Sequence, residues 1–158
     1  MKYCLKCGQL LNYKVIEDQN VPYCEACNKL YFPRYNVAVS MIVRYQDDVL
    51  LIKQYQKPYP ILVAGYVNPL ESLEEACRRE LKEETNLDAV SIRYLRSSFY
   101  EPSDTLMVNF EVIVAHPHFK LNDEVDEAMF YPISKACDVM KPTSLAYQFM
   151  AQYVKKRD

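Results

Sequence analysis

The chain has 158 residues, half of them hydrophobic, and a formal net charge of −2. This length suffices for one domain with a hydrophobic core plus a small appendage, and it excludes two large domains. The slightly acidic balance argues against a broad basic surface, so we expect no nucleic-acid partner. A small anionic ligand bound at a local site is compatible with this charge.

The sequence contains no obvious membrane or secretion segment. No run approaches the ~20 continuous apolar residues of a membrane span, and the first residues lack the apolar core of a signal peptide. We therefore expect a cytoplasmic protein with no membrane partner. Thiols stay reduced in that compartment, so the six cysteines favour metal ligation or burial over disulfides.

Four cysteines form two Cys-x-x-Cys pairs near the start of the chain: Cys4, Cys7, Cys24 and Cys27. The spacing is typical of a four-cysteine zinc site, and Gly8 suits the tight turn after the first pair. A segment of ~30 residues buries too little apolar surface to fold alone, so the zinc would be structural. The alternatives are four buried or disulfide-bonded cysteines, or a catalytic zinc, which needs an open ligand position. Cys77 and Cys137 fall on predicted helices and are expected in the core.

After this segment, the pattern changes to strands mixed with helices. Strands are predicted at residues 37–43, 49–53, 61–64, 90–97, 105–115 and 129–133. A helix should begin after Ser72, with Glu75 completing a capping box, and stop at Asn86 in the left-handed conformation. Two further helices are predicted at 134–140 and 144–155. The order predicts an α/β fold with a mixed sheet, in which residues 1–34 form a zinc ribbon and 35–158 the main domain.

The first helix carries three glutamates, Glu80, Glu83 and Glu84. Glu80 and Glu84 are one turn apart on the apolar stripe that faces inward, and Glu83 borders it. Such carboxylates need compensation, because two unit charges at ~4 Å repel by about 4 kcal/mol at an effective dielectric of 20. Magnesium could supply it, since it prefers oxygen ligands and retains waters or phosphates. The alternative is a solvated acidic face, where like charges cost only ~0.2 to 0.5 kcal/mol per pair.

The spacing of these glutamates resembles the box of the Nudix hydrolases, Gly-x5-Glu-x7-Arg-Glu-U-x-Glu-Glu-x-Gly-U, in which U is aliphatic. The matching residues are Gly65, Glu71, Arg79, Glu80, Leu81, Glu83, Glu84 and Leu87. Asn86 stands where the family has glycine, and asparagine tolerates the left-handed conformation. Pro69 and Leu70 precede Glu71, where many members have a glycine, so the shape of this loop is open.

The resemblance implies an α/β/α sandwich with a mixed sheet, and Mg²⁺ or Mn²⁺ as cofactor. The implied metal ligands are Glu80, Glu83, Glu84 and the carbonyl of Ala64. Arg79 and Glu71 would orient the helix and its preceding loop by ion pairing. A catalytic base is expected from the acidic loop at 121–128, with Glu124 as first candidate and Glu127 as second; an ordinary solvated loop acid is the alternative.

A zinc ribbon before such a box is similar to NADH pyrophosphatases and to some FAD or ADP-ribose hydrolases. The implied substrate is a small nucleoside diphosphate linked to another group. The NADH specificity stretch of these enzymes matches only at Ser97 and at Leu106 and Met107, so NADH is not singled out. Phe99 and Tyr100 are candidates for stacking on a base or nicotinamide ring, with a place in the core as the alternative.

Two other functions stay open at this point. The chain could be a catalytically silent Nudix module that senses a nucleotide or binds a protein, although none of the box glutamates is lost. Nucleic-acid binding through the ribbon would need a basic aromatic surface, which the scattered lysines do not supply. Similar enzymes are commonly homodimers, so a homodimer is a possible assembly.

Overall fold

The computed structural model of the protein describes residues 1–156. The chain folds into two compact units. The first unit is Met1–Tyr35, and the second begins at Asn36. Residues 157 and 158, the end of the predicted main domain, lie outside the described residues. Of the helices in the described part, none is long and apolar enough to cross a membrane.

The first unit is a small antiparallel sheet. Its strands are β1 (Asn12–Ile16), β2 (Gln19–Cys24) and β3 (Lys29–Leu30), which pair in that order. One cluster of buried residues lies at its centre and consists of Cys4, Leu11, Cys24 and Tyr31. A core of this size is too small to stabilise an isolated unit, so the unit needs another source of folding free energy.

The second unit contains a mixed sheet. Its strands are β4 (Asn36–Tyr45), β5 (Asp48–Gln54), β6 (Val63–Tyr66), β7 (Ala89–Tyr100), β8 (Thr105–Val114) and β9 (Val125–Pro132). They pair in the order β7-β8-β4-β5-β9, and β6 pairs with β4. The pair β4–β8 is parallel and the other pairs are antiparallel, which confirms the predicted mixed sheet.

Helices cover both faces of this sheet: α1 (Leu73–Thr85), α2 (Ala136–Val139) and α3 (Leu145–Lys155). Because successive strand residues point to opposite faces, Leu50 packs in the cluster with Cys77 of α1, while Leu51 packs in the cluster with Met150 of α3. The fold is therefore the predicted α/β/α sandwich. Cys77 is fully buried as expected, and Cys137 is half-buried against the second cluster.

Several strands differ from their predicted bounds, and the differences in β6 and β9 affect the candidate site. Strand β9 begins at Val125, so half of the predicted acidic loop at 121–128 is strand. Its pairing with β5 slips between Lys53 and Gln54, and this irregularity interrupts the alternation that would have marked the strand in the sequence. Strand β6 runs through Gly65 instead of ending before it, and Ile61 makes only an isolated bridge with Ile52.

A buried carboxylate on the α3 face was not predicted. Glu111 of β8 is buried, and it pairs with Arg44 at 3.2 Å and with Arg93 at 2.8 Å. It also accepts a hydrogen bond from the hydroxyl of Tyr153 on α3. A buried charge is tolerated only when it is paired and hydrogen-bonded. These contacts satisfy Glu111 and fix α3 against the sheet.

Candidate active site

Helix α1 begins and ends as the sequence predicts. The Ser72 hydroxyl accepts a hydrogen bond from the Glu75 backbone at 3.2 Å, and the Glu75 carboxylate accepts one from the Ser72 backbone at 2.8 Å. Asn86 follows the last turn with φ of 57°, which is left-handed. These two ends fix the register of α1, and hence the directions in which its glutamates point.

Arg79 ties α1 to the loop that follows β6. Its Nε and Nη2 donate to the two carboxylate oxygens of Glu71 at 2.7 and 2.9 Å, and Nη2 also donates to the carbonyl of Tyr66 at 2.9 Å. The guanidinium, together with the backbone N–H of Asn68, lowers the pKa of Glu71 to about 2. This two-point ion pair orients helix and loop relative to each other.

The same arginine contacts two of the predicted metal ligands. Its Nη1 lies 2.7 Å from one oxygen of Glu80 and 3.1 Å from one oxygen of Glu83. The Glu80 side chain is 14% exposed and that of Glu83 is 54% exposed. A bound cation would therefore use the carboxylate oxygens that Arg79 does not contact.

Gly65 leaves space that Glu80 fills. A Cβ placed on Gly65 would lie 1.9 Å from the carboxylate carbon of Glu80, far inside van der Waals contact. Any other residue at this position would displace the carboxylate. The glycine of the box is thus required because the Glu80 carboxylate lies so close to its Cα. Backbone conformation does not require it, since the φ of Gly65 is not in the left-handed region.

Glu84 has the most unusual surroundings of the three glutamates. It is 4% exposed, and one oxygen accepts a hydrogen bond from Nε2 of Gln54 at 2.6 Å. The other oxygen is buried and has no hydrogen-bond partner in the described part of the chain. Burial, with the nearby charges of Glu80 and Glu124, raises the pKa of Glu84 to about 7, although Gln54 opposes the shift.

These residues suit a hard divalent cation. The glutamate oxygens do not lie as close together as the cysteine sulfurs. Among residues 1–156, a set of three or more potential metal-ligand atoms within 4.8 Å of one another is found at the four cysteines. Nevertheless, the donors are carboxylate oxygens on one helix, and the unpartnered oxygen of Glu84 lacks the compensation that a cation supplies. The set fits Mg²⁺ or Mn²⁺, and the ligand roles of Glu80, Glu83, Glu84 and Ala64 stay predictions.

The two candidates for the base differ in their partners. Glu124 is exposed immediately before β9, and its charge contributes to the raised pKa of Glu84, so it lies near the helix glutamates. Glu127 lies within β9 and pairs with Lys53 at 2.7 Å. Because Lys53 already engages Glu127, Glu124 is the better candidate for the base, as the sequence predicted.

A cleft of about 560 Å³ opens beside the box glycine. Ala64, Gly65, Tyr66, Tyr100 and Lys57 are among its lining residues. Tyr66 and Lys57 were not predicted from the sequence, although the position of Tyr66 directly after the box glycine could have indicated this residue.

The structure separates the two predicted aromatic candidates. Phe99 and Tyr100 are 50% and 41% exposed, so the alternative that places them in the core is wrong. Tyr100 lines the cleft at Gly65, whereas Phe99 lines a second cleft, of about 580 Å³, together with Arg96 and Lys141.

The four cysteines of the first unit form a compact cluster of free thiols. The sulfurs of Cys7 and Cys24 are 3.6 Å apart and those of Cys4 and Cys27 are 3.9 Å apart. Tetrahedral ligation at the usual Zn–S length gives sulfur separations of about 3.8 Å. The spacing thus matches a zinc tetrathiolate and not a disulfide.

The pKa values of the clustered thiols also favour a bound cation. The Tyr31 hydroxyl, 3.0 Å from the sulfur, lowers the pKa of Cys4 to about 5. The hydrogen bond with Cys7, with burial second, raises the pKa of Cys27 to about 12. Four thiols this close cannot all ionise without a metal, and zinc bound by four thiolates would remove that conflict.

A mixed sheet lies between helices, and a capped acidic helix is held to the loop that follows the strand of Gly65. This arrangement defines the class: an α/β/α domain suited to divalent-cation chemistry. The family model described as the NUDIX domain matches residues 34–153, which is more than half of the chain. The chain belongs to the Nudix family.

The individual relatives have low sequence identity to this chain. The NAD-capped RNA hydrolase NudC of Pseudomonas fluorescens (strain Pf0-1) is 24% identical over 159 aligned residues, which cover 99% of this chain and 57% of that protein. The chain thus spans a little over half the length of the curated relatives it matches.

Solved structures share the fold at low identity. The crystal structure of a Nudix hydrolase from Nitrosomonas europaea has a TM-score of 0.73 at 20% identity, covering 99% of this chain and 92% of that one. The Nudix domain of Shewanella oneidensis NrtR, crystallised with ADP ribose, has a TM-score of 0.66 at 18% identity, covering 86% and 94%. At these identities, the likeness shows the fold alone.

The cysteine cluster should bind one zinc ion per chain. We expect native mass spectrometry to find this ion in the wild type and in Cys137→Ser, whose sulfur lies outside the cluster, but not in Cys24→Ser. Loss of the ion should increase hydrogen exchange in Met1–Tyr35, because the metal supplies folding free energy to this small unit. Full zinc content in Cys24→Ser would contradict the assignment.

The Glu71–Arg79 pair should stabilise the protein in a defined pH range. Because the pKa of Glu71 is lowered from 4.5 to about 2, the stabilisation is present above pH 4.5 and is lost as the pH falls toward 2. Glu71→Gln should therefore have a lower urea midpoint than the wild type at pH 7, and the difference should shrink below pH 4.5. Glu101→Gln, at an exposed position, is the control; a difference independent of pH would contradict the ion pair.

Proposed function

We propose that the chain is a Nudix pyrophosphatase of the cytoplasm, which uses Mg²⁺ or Mn²⁺ to hydrolyse the diphosphate bond of a nucleoside diphosphate linked to another group. The observation that carries this proposal is the buried carboxylate of Glu84, one of whose oxygens has no partner in the described residues. A cation that binds there would lie on the helix that carries the other box glutamates. The name of the Pseudomonas relative and the ADP-ribose complex of the NrtR domain support the substrate class.

The proposed mechanism follows from charge. A diphosphate repels a nucleophilic oxygen, and a divalent cation at the glutamates would offset this charge and lower the pKa of an attacking water. Arg79 holds Glu80 and Glu83 in place, and Gly65 leaves room for the Glu80 carboxylate. Glu124 would accept the proton from the water as general base. In-line attack then splits the diphosphate into two phosphorylated halves.

The cleft beside Gly65 is the proposed place for the rest of the substrate. Tyr66 and Tyr100 expose aromatic faces on which a base or nicotinamide ring could stack, and Lys57 could pair with a phosphate. NADH, FAD and ADP-ribose are the first candidates. The relatives' name adds NAD-capped RNA, which runs partly against the expectation of no nucleic-acid partner.

The second candidate function is a nucleotide-sensing module that does not turn its ligand over. The NrtR domain, which binds ADP ribose in its crystal, gives this alternative a structural precedent for ligand binding in the same fold. The complete set of box glutamates does not favour it, because a silent module has no need to retain them. A homodimer stays a prediction for either function.

A substrate panel tests the proposal. With Mg²⁺, the zinc-loaded protein should convert at least one of NADH, FAD, ADP-ribose or NAD-capped RNA into two phosphorylated products, identified by chromatography. Glu83→Gln should lower the rate more than about 100-fold, because even the partners of metal ligands are worth 10- to 100-fold. Glu74→Gln, an exposed glutamate on the same helix, should leave the rate unchanged.

The panel also separates the two candidate functions. Binding of ADP-ribose without turnover of any compound would favour the sensing module. If the folded protein neither binds nor hydrolyses any compound of the panel, this result would count against both functions.

Gly65→Ala should lower activity through Glu80 alone. The three atoms nearest to the added methyl group all belong to the movable end of Glu80, so the melting temperature should change little while the rate falls about 100-fold. If the glycine acts only by making room for Glu80, the double variant with Glu80→Gln should be no slower than Glu80→Gln alone. Additive losses would show that Gly65 has another role.

A further inference from the structure

We infer that Gln54 is a positioning residue for the cation site, one that holds Glu84 so that its second oxygen is presented to the metal. Gln54 lies outside the residues that match the Nudix box and was not among the predicted site residues. The inference rests on the proposed function, because it assigns Gln54 a role at the same site.

The strand pattern explains why a glutamine side chain reaches α1. Residues Leu50 and Ile52 of β5 belong to the cluster that packs under α1, and two residues further along the same face comes Gln54. The register slip after Lys53 pairs Gln54 with Val125, next to Glu124. Gln54 therefore sits where the end of β5, the start of β9 and the last turn of α1 meet.

The contact itself is short and directional. Nε2 of Gln54 donates to one oxygen of Glu84 at 2.6 Å, while the other oxygen is buried without a partner in the described residues. A hydrogen bond to one oxygen fixes the rotation of the carboxylate. The plane and direction of the second oxygen are then set before a cation arrives.

The neutral amide is important for the charge of the site. Arg79 bonds to Glu71, Glu80 and Glu83, and these bonds do not include Glu84. A lysine or arginine in place of Gln54 would neutralise Glu84 and compete with a divalent cation. A glutamine orients the carboxylate and adds no positive charge that would compete with the metal.

A purely structural role makes a different prediction. If Gln54 only satisfied a buried carboxylate, its loss would lower the melting temperature of the metal-free protein and leave the metal affinity of the folded protein unchanged. If it positions Glu84, its loss must weaken metal binding at temperatures where the protein is fully folded. Metal affinity in the absence of substrate separates the two roles.

The test measures Mn²⁺ binding to the zinc-loaded full chain by the electron paramagnetic resonance signal of free Mn²⁺. We expect Gln54→Met, which keeps the length of the side chain but removes the donor, to weaken binding about 10- to 100-fold. Gln46→Met is the matched control: Gln46 lies in the turn before β5, at the other end of the strand, where its amide contacts Tyr45. Its Mn²⁺ affinity should equal that of the wild type.

The outcomes of this test are distinguishable from failure of the proposed function. Equal Mn²⁺ binding by the wild type and Glu84→Gln would overturn the metal site itself. Weaker binding by Glu84→Gln with unchanged binding by Gln54→Met would overturn only the role of Gln54. Should Gln54→Met not fold, Gln54→Asn is measured instead; its amide is one methylene shorter and cannot keep the 2.6 Å contact, so the same loss is expected.

Discussion

The candidate site depends on one ion pair, between the guanidinium of Arg79 and the carboxylate of Glu71. Both oxygens of Glu71 are engaged, and the arginine also holds a backbone carbonyl, at Tyr66. Only arginine offers a rigid, planar set of donors that can bind a carboxylate at two points and still reach further acceptors. The helix that carries the glutamates and the strand that carries Gly65 are thereby held in one arrangement.

The contacts of Arg79 with Glu80 and Glu83 raise the question of whether the arginine replaces a metal. The charges argue against this: Glu71, Glu80, Glu83 and Glu84 present four carboxylates, and Arg79 supplies a single positive charge. Two like charges at ~4 Å still repel by about 4 kcal/mol at an effective dielectric of 20. The exposure of Glu83 suits a solvated acidic face, but Glu84, a residue that is only 4% exposed, does not.

Local patterns predicted α1 almost completely. The capping box, the left-handed Asn86 and the inward stripe each depend on residues within a few positions of one another. The bounds of β9 depend instead on its pairing with β5, and the contacts of Gln54 and Glu111 join residues 18 to 67 positions apart in the chain. No periodicity in the sequence encodes such contacts, which is why the site was predicted as a set of glutamates without the glutamine that orients one of them.

The chain has only two glycines, Gly8 and Gly65, and the second shows which constraint the site keeps. Two positions where Nudix sequences usually have glycine are occupied by Leu70, with φ of 67°, and Asn86, with φ of 57°, so the chain keeps the left-handed backbone without the glycine. This conformation costs an ordinary residue such as leucine roughly 1–2 kcal/mol, which a folded domain can tolerate. At Gly65 the obstacle is different, because a Cβ would occupy the place of the Glu80 carboxylate. Backbone strain can be offset elsewhere in the fold, whereas a Cβ at Gly65 is accommodated only if the Glu80 carboxylate leaves its place in the site, and so the box glycine stays.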